Sequence, residues 1–104
     1  MNSDPRKTIF IGRLSYDTNE MKIKKYFENY GDIRRVRLIK NKEGKSRGYA
    51  FVEFKDTSGA KLAYDKADGQ RIDGVHILVD WELARIDKKW LPRRLGGGKG
   101  GLTR

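Results

Sequence analysis

The chain has 104 residues, which is room for one compact domain and too little for two. Apolar residues make up 37% and charged residues another 37%, with a net charge of +10, a surplus that does nothing for folding and points to phosphates or anionic lipid as its counterpart. The absence of cysteine excludes disulfide scaffolds, thiol catalysis and zinc knuckles, and suits a reducing compartment. Apolar runs are only a few residues long, so neither a membrane span nor a secretory leader is expected, and the expectation is a soluble intracellular chain.

The run from Thr8 to Leu14, β-branched and aromatic, reads as a first strand. A helix should follow, with Thr18 as N-cap, Ile23, Phe27 and Tyr30 at helical spacing, and Gly31 placed to adopt the left-handed conformation that closes a helix. Ile33 to Lys40 then reads as a half-buried strand in which Val36 and Leu38 alternate with Arg35, Arg37 and Ile39. A basic turn, Asn41 to Ser46, leads into a third strand, Arg47 to Lys55, with the strongest β pattern in the chain. A second helix is expected over Thr57 to Ala67, with Ala60, Ala63, Tyr64 and Ala67 along one face and Gly69 as its stop. Val75 to Trp81 supplies the fourth strand, Ile77 and Val79 facing one way and His76, Leu78 and Asp80 the other.

The order β-α-β-β-α-β predicts an α+β fold of the ferredoxin-like, split βαβ type: a four-stranded antiparallel sheet backed by two helices, its other face open. The period of two sends Ala50, Val52 and Phe54 toward the helices and Tyr49, Phe51 and Glu53 away from them, while Ile9 and Ile11 turn inward and leave Phe10 outward beside Gly12. Phe10, Tyr49 and Phe51 would then lie together on the open face of adjacent central strands. Such a patch invites a ligand, and unpaired bases stack well on aromatic rings. Arg47 adds a cation for phosphate, and Gly48 lets the backbone pass close to a neighbour. The alternative is a sheet covered by a partner protein or by the chain's own C-terminal segment.

No catalytic constellation is visible. His76, the lone histidine, sits in a strand with no second ligand or nucleophile patterned around it, and the carboxylates are scattered among basic residues as solvated faces are. An enzyme, a metal site, a cofactor and a small-molecule substrate are therefore not expected.

Residues 83–104 hold seven Lys or Arg against one acidic residue, together with Gly96, Gly97, Gly98, Gly100 and Gly101. This stretch cannot bury enough apolar area to fold alone. Leu83, Ile86 and Trp90 are spaced for one side of a short helix, Pro92 ends it, and Arg93 and Arg94 can pair with phosphates. The expected organisation is a domain over residues 1–82 and a basic extension over 83–104.

The octamer Arg47-Gly48-Tyr49-Ala50-Phe51-Val52-Glu53-Phe54 resembles the RNA-recognition-motif pattern K/R-G-F/Y-G/A-F-V-x-F/Y at every defined position. The hexamer Ile9 to Leu14 resembles the family's companion motif and departs from it at Arg13, where Asn is preferred; the change adds a cation beside the platform. The segment Trp90 to Gly101 resembles the W-x-P-R-R-L-G-G-G-x-G-G stretch that follows the motif in the 70-kilodalton protein family of the U1 small nuclear ribonucleoprotein. Tyr16-Asp17-Thr18, Ala67-Asp68-Gly69, Ile72-Asp73-Gly74 and Leu78-Val79-Asp80 extend that likeness over nearly the whole chain.

What this resemblance implies is a nuclear splicing factor that grips stem-loop I of U1 small nuclear RNA and supports recognition of the 5′ splice site, a monomer within a ribonucleoprotein particle beside other particle proteins. By the same analogy Phe10, Tyr49 and Phe51 would stack loop bases, and Lys45 and Arg47 would meet the backbone. Tyr16 would join them, and Trp90, Arg93, Arg94 and Gly96, Gly97 and Gly98 would follow RNA beyond the sheet. The minor-spliceosome 35-kilodalton family shares much of the pattern, including a segment like Gly31-Asp32-Ile33-Arg34-Arg35, so the U11 counterpart stays open as the ligand. A further alternative is a protein-interaction module in which Trp81, Trp90 and the sheet face hold a peptide. Family members run on beyond both ends of this sequence, so it is expected to be a trimmed piece or a compact member.

Overall fold

The computed structural model describes residues 4–83, so the roles expected of Trp90, Arg93, Arg94 and the glycines after them fall outside the described residues. The elements are β1 (Thr8–Gly12), α1 (Glu20–Phe27), β2 (Ile33–Lys40), β3 (Ser46–Phe54), α2 (Thr57–Ala67), β4 (Arg71–Ile72), β5 (Val75–His76) and β6 (Leu78–Trp81). The main sheet runs β2-β3-β1-β6, antiparallel at every pairing, which makes β3 and β1 its central strands.

The alternation read from sequence sets the layers. Ile9 and Ile11 of β1, Ala50, Val52 and Phe54 of β3, and Val79 and Trp81 of β6 are buried against Ile23 and Phe27 of α1 and Ala60, Ala63, Tyr64 and Ala67 of α2. Each fully buried Ile or Phe contributes about 1.5–3 kcal/mol of transfer free energy. The alanine face of α2 brings its backbone close to the sheet. Gly59 carries this furthest, because a Cβ there would lie 2.7 Å from the Phe54 ring.

Four expectations need correction. Asn19, not Thr18, caps α1: its Oδ1 accepts from the Lys22 N–H at 2.9 Å. Thr18 is buried, and its hydroxyl donates instead to Asp73 Oδ2 at 2.6 Å, while Lys22 Nζ pairs with the other oxygen of that carboxylate. Gly31 does not take the left-handed conformation; it is glycine because a Cβ would stand 3.0 Å from the Gly59 backbone.

The first strand stops at Gly12, since Arg13 takes φ +61 and turns the chain out of the sheet. The fourth strand divides for a related reason. Leu78 pairs with Gly12, the last residue of β1, so Val75 to Ile77 have no partner there. Val75 and His76 instead fold back on Arg71 and Ile72 around Asp73 and Gly74, whose φ values of +53 and +80 suit a two-residue hairpin turn.

Candidate nucleic-acid interface

Register assigns the side chains of the helix-free face. Arg37 lies opposite Phe51, Phe51 opposite Phe10, and Phe10 opposite Asp80, so one row crosses all four strands of the main sheet. The Phe10 ring centre lies 5.6 Å from that of Phe51, edge to face, and 5.8 Å from that of Tyr49. All three rings are half-buried, each keeping part of its surface open. The expected platform is thus assembled on β1 and β3.

Two glycines admit rings close to the backbone here. A Cβ on Gly12 would stand 3.0 Å from the Phe10 ring, and one on Gly48 would stand 3.0 Å from the ring of Tyr16. Gly48 also takes φ +84, which a side chain would resist. Its carbonyl accepts from the Leu14 N–H at 2.9 Å, which brings the segment after β1 back beside β3 and sets the ring of Tyr16, 76% exposed, against Gly48.

Beyond Tyr16 the surface sinks into a cleft of about 880 Å³, lined by Tyr16, Lys40, Asn41, Lys45 and Arg47 among others. The loop that forms its far wall is ordered by its own hydrogen bonds: Asn41 Oδ1 accepts from the main-chain N–H of Glu43 at 2.8 Å and of Lys45 at 3.0 Å. Lys45, Arg47 and Arg13 are all exposed, and since Ile11 pairs with Ala50 and Leu14 N–H with the Gly48 carbonyl, Arg13 falls at the same end of the sheet as Arg47. The predicted cations therefore gather at one end of the rings.

The opposite end of the face is closed. Glu53, on the same side of β3 as Tyr49 and Phe51, is only 4% exposed; it pairs with Arg35 at 2.9 Å and accepts from the Asp4 N–H at 3.3 Å. Thr8 Oγ1 donates to the Asp4 carbonyl at 2.7 Å, so residues 4–7 form a wall across this end.

Sequence pattern alone missed Arg37. Its guanidinium lies 5.3 Å from the centre of the Phe51 ring, within the range of a cation–π contact. Period two places Arg37 on this face, but only the cross-strand register sets it over Phe51. Trp81, in contrast, is withdrawn from any peptide-binding role. It is buried on the helix side against Tyr64, and its indole N–H donates to the Arg6 carbonyl at 3.0 Å. Among the described residues no cluster of His, Cys, Asp and Glu is arranged to hold a metal.

Comparison with known proteins gives four findings. Residues 9–78 match the model of the RNA recognition motif. The chain is 51% identical over 102 residues to the U1 small nuclear ribonucleoprotein 70 kDa of Drosophila melanogaster, covering 97% of this chain and 23% of that one. It is also 51% identical over 102 residues to the U11/U12 small nuclear ribonucleoprotein 35 kDa protein of Bos taurus, covering 42% of the latter. A crystal structure of RNA-binding protein PG1 superposes with a TM-score of 0.69 over 72% of this chain and 92% of its own, at 30% identity. The chain spans less than half the length of the two ribonucleoprotein relatives.

Proposed function

This chain belongs to the RNA recognition motif family, and from that premise we propose that it is the RNA-binding domain of a small nuclear ribonucleoprotein, seated on stem-loop I of U1 RNA. Its work there is to hold the particle's RNA in support of 5′ splice-site recognition, in the nucleus. The observation that carries the reading is the row of Phe10, Tyr49 and Phe51 on the helix-free face, flanked by Arg37, Arg47 and Arg13. Rings without a ligand would leave apolar surface in water; unpaired bases cover it at roughly 1–3 kcal/mol per base.

In this reading the loop bases stack on Phe10, Tyr49 and Phe51, with Tyr16 taking a flanking base. Lys45, Arg47 and Arg13 meet phosphates. The wall at Glu53 and Asp4 stops the strand at one end, and the open cleft at Tyr16 lets it leave at the other. Residues 83–104 act as a second unit in which Trp90, Arg93 and Arg94 follow the RNA past the sheet and Gly96, Gly97 and Gly98 allow close backbone approach. Other proteins of the particle are its neighbours, and its role is binding, with no catalytic step.

A second reading has support of the same weight in sequence, because the relatives of the U11/U12 type match as closely as those of the U1 type. The loop of U11 RNA is then the ligand. A competition titration decides: the full chain, and a version ending at Glu82, are titrated with U1 stem-loop I against the U11 stem-loop. Preference for the U1 loop supports the first reading and preference for the U11 loop the second. Equal affinity for poly-U and both loops would sink both.

A further inference from the structure

The sheet has a second exposed surface that the open face does not use. β2 is an edge strand, and the direction of its main-chain groups follows from its neighbour. In β3, Phe54 N–H donates toward Lys7 and the Gly48 carbonyl accepts from Leu14, so the even-numbered residues of β3 turn their main-chain groups toward β1. Val52 therefore turns away from β2, and Val36, directly opposite it, turns its own N–H and C=O off the edge. Leu38, two residues on, behaves the same way: its N–H leaves the sheet and is taken by Glu20 Oε2 at 3.2 Å.

Leu38 is thus guarded by a side chain and Val36 is not. Beside Val36 runs a groove of about 600 Å³ between α1 and β2, lined by Glu20, Met21, Lys24, Ile33, Arg34 and Val36 among others. Met21 is 65% exposed at its rim. Ile33 and Val36 are half-buried at its floor, and Arg34 is exposed beside them. Glu20, the acidic residue of the groove, is already engaged with Leu38.

We propose that the β2 edge and this groove form a docking site for an extended acidic segment of a partner protein, which adds a fifth strand at Val36. Its main chain pairs with the open N–H and C=O, an apolar side chain lies against Met21 and Ile33, and its carboxylates face Arg34 and Lys24. The flanking cations choose the occupant. They repel a second copy of a chain carrying +10 and admit a strand of opposite charge. An apolar groove with an open strand edge fits a peptide better than a phosphate backbone. The site is independent of what covers the ring platform.

The test uses the full chain, labelled for NMR, and a synthetic peptide of about nine residues alternating Glu and Val, with a Lys-for-Glu version as control. The expected result is shifts confined to Met21, Lys24 and residues 33–36 with the acidic peptide alone, and slowed amide exchange at Val36. Combining Met21→Glu with Arg34→Glu, both on exposed side chains, should weaken peptide binding by more than about tenfold. Melting temperature and stem-loop binding should stay unchanged. Absence of shifts at millimolar peptide overturns the proposal, as does displacement of the peptide by stem-loop RNA, which would assign the edge to nucleic acid. Self-association through the same amides also overturns it.

Discussion

On its helix-covered side β3 presents Ala50, Val52 and Phe54 with no exposed surface, whereas on its other side Tyr49 and Phe51 keep part of their rings in water. Both sets belong to one nine-residue strand, and alternate positions serve different ends. Inward residues are held by packing from every direction, so their loss is felt by the fold. Outward residues are held by neighbours on two or three sides, and the remaining side is where a ligand contributes.

The largest expected effect is on the covered side. Phe54→Ala would leave a cavity beneath Gly31 and Gly59 and destabilise the domain by about 3–5 kcal/mol, read by urea denaturation. Phe51→Ala should do the reverse. It forfeits an edge contact with Phe10, worth about 1 kcal/mol or less, but it removes a stacking surface, and affinity for the stem-loop should fall by roughly 1–3 kcal/mol in a binding titration. A Phe51→Ala variant that lost stability as severely as Phe54→Ala would break the division between the faces.

Glu53 sharpens that division by crossing it. It points to the open side, yet it is buried by Arg35 and the turn at Asp4. Glu53→Gln should therefore cost stability, about 1–3 kcal/mol from the weakened network, and leave stem-loop affinity per folded molecule unchanged. Arg37 lies further along the same face with the opposite character. Arg37→Ala removes the cation above Phe51, and affinity should fall by about 0.5–1 kcal/mol with little change in melting temperature. If Arg37 also reaches a phosphate, the slope of log affinity against log salt should flatten by about 0.7. Tighter binding after Arg37→Ala would mean that the guanidinium competes with the base for the ring.

Much of this is legible in the sequence. The period of two in residues 47–54 separates Tyr49 and Phe51 from the core set, and the same period around Ile9 and Ile11 adds Phe10 to their surface. What stayed illegible depends on pairs of distant residues. Thr18 is a good N-cap by residue type, but Asp73, 55 positions away, claims its hydroxyl. Gly31 resembles a helix stop until Gly59 is found against it. The run from Val75 to Trp81 looks continuous because nothing in it announces that β1 ends at Gly12. Arg37 and Glu53 are of the same kind: the pattern gives each its face, and only register gives Arg37 a ring and Glu53 an arginine.

The smallest effect is expected where the helix layer is tied to the hairpin, at Asp73. The Lys22 ammonium first, and the Thr18 hydroxyl second, hold the Asp73 carboxyl below the ordinary value of 3.8. A carboxyl depressed on folding contributes stability that is present in full above its unfolded pKa and is lost as pH falls through the folded value. Denaturation at pH 6 and again near pH 3 should therefore show an acid loss that is smaller in Asp73→Asn, since Asn keeps the left-handed turn but cannot titrate. At pH 6 that variant should bind the stem-loop as the parent chain does, because Asp73 is in neither the ring row nor the lining of the cleft. Weaker binding by Asp73→Asn at pH 6 would show that the hairpin reaches the open face, and the separation of the two sides of the sheet would then have to be redrawn.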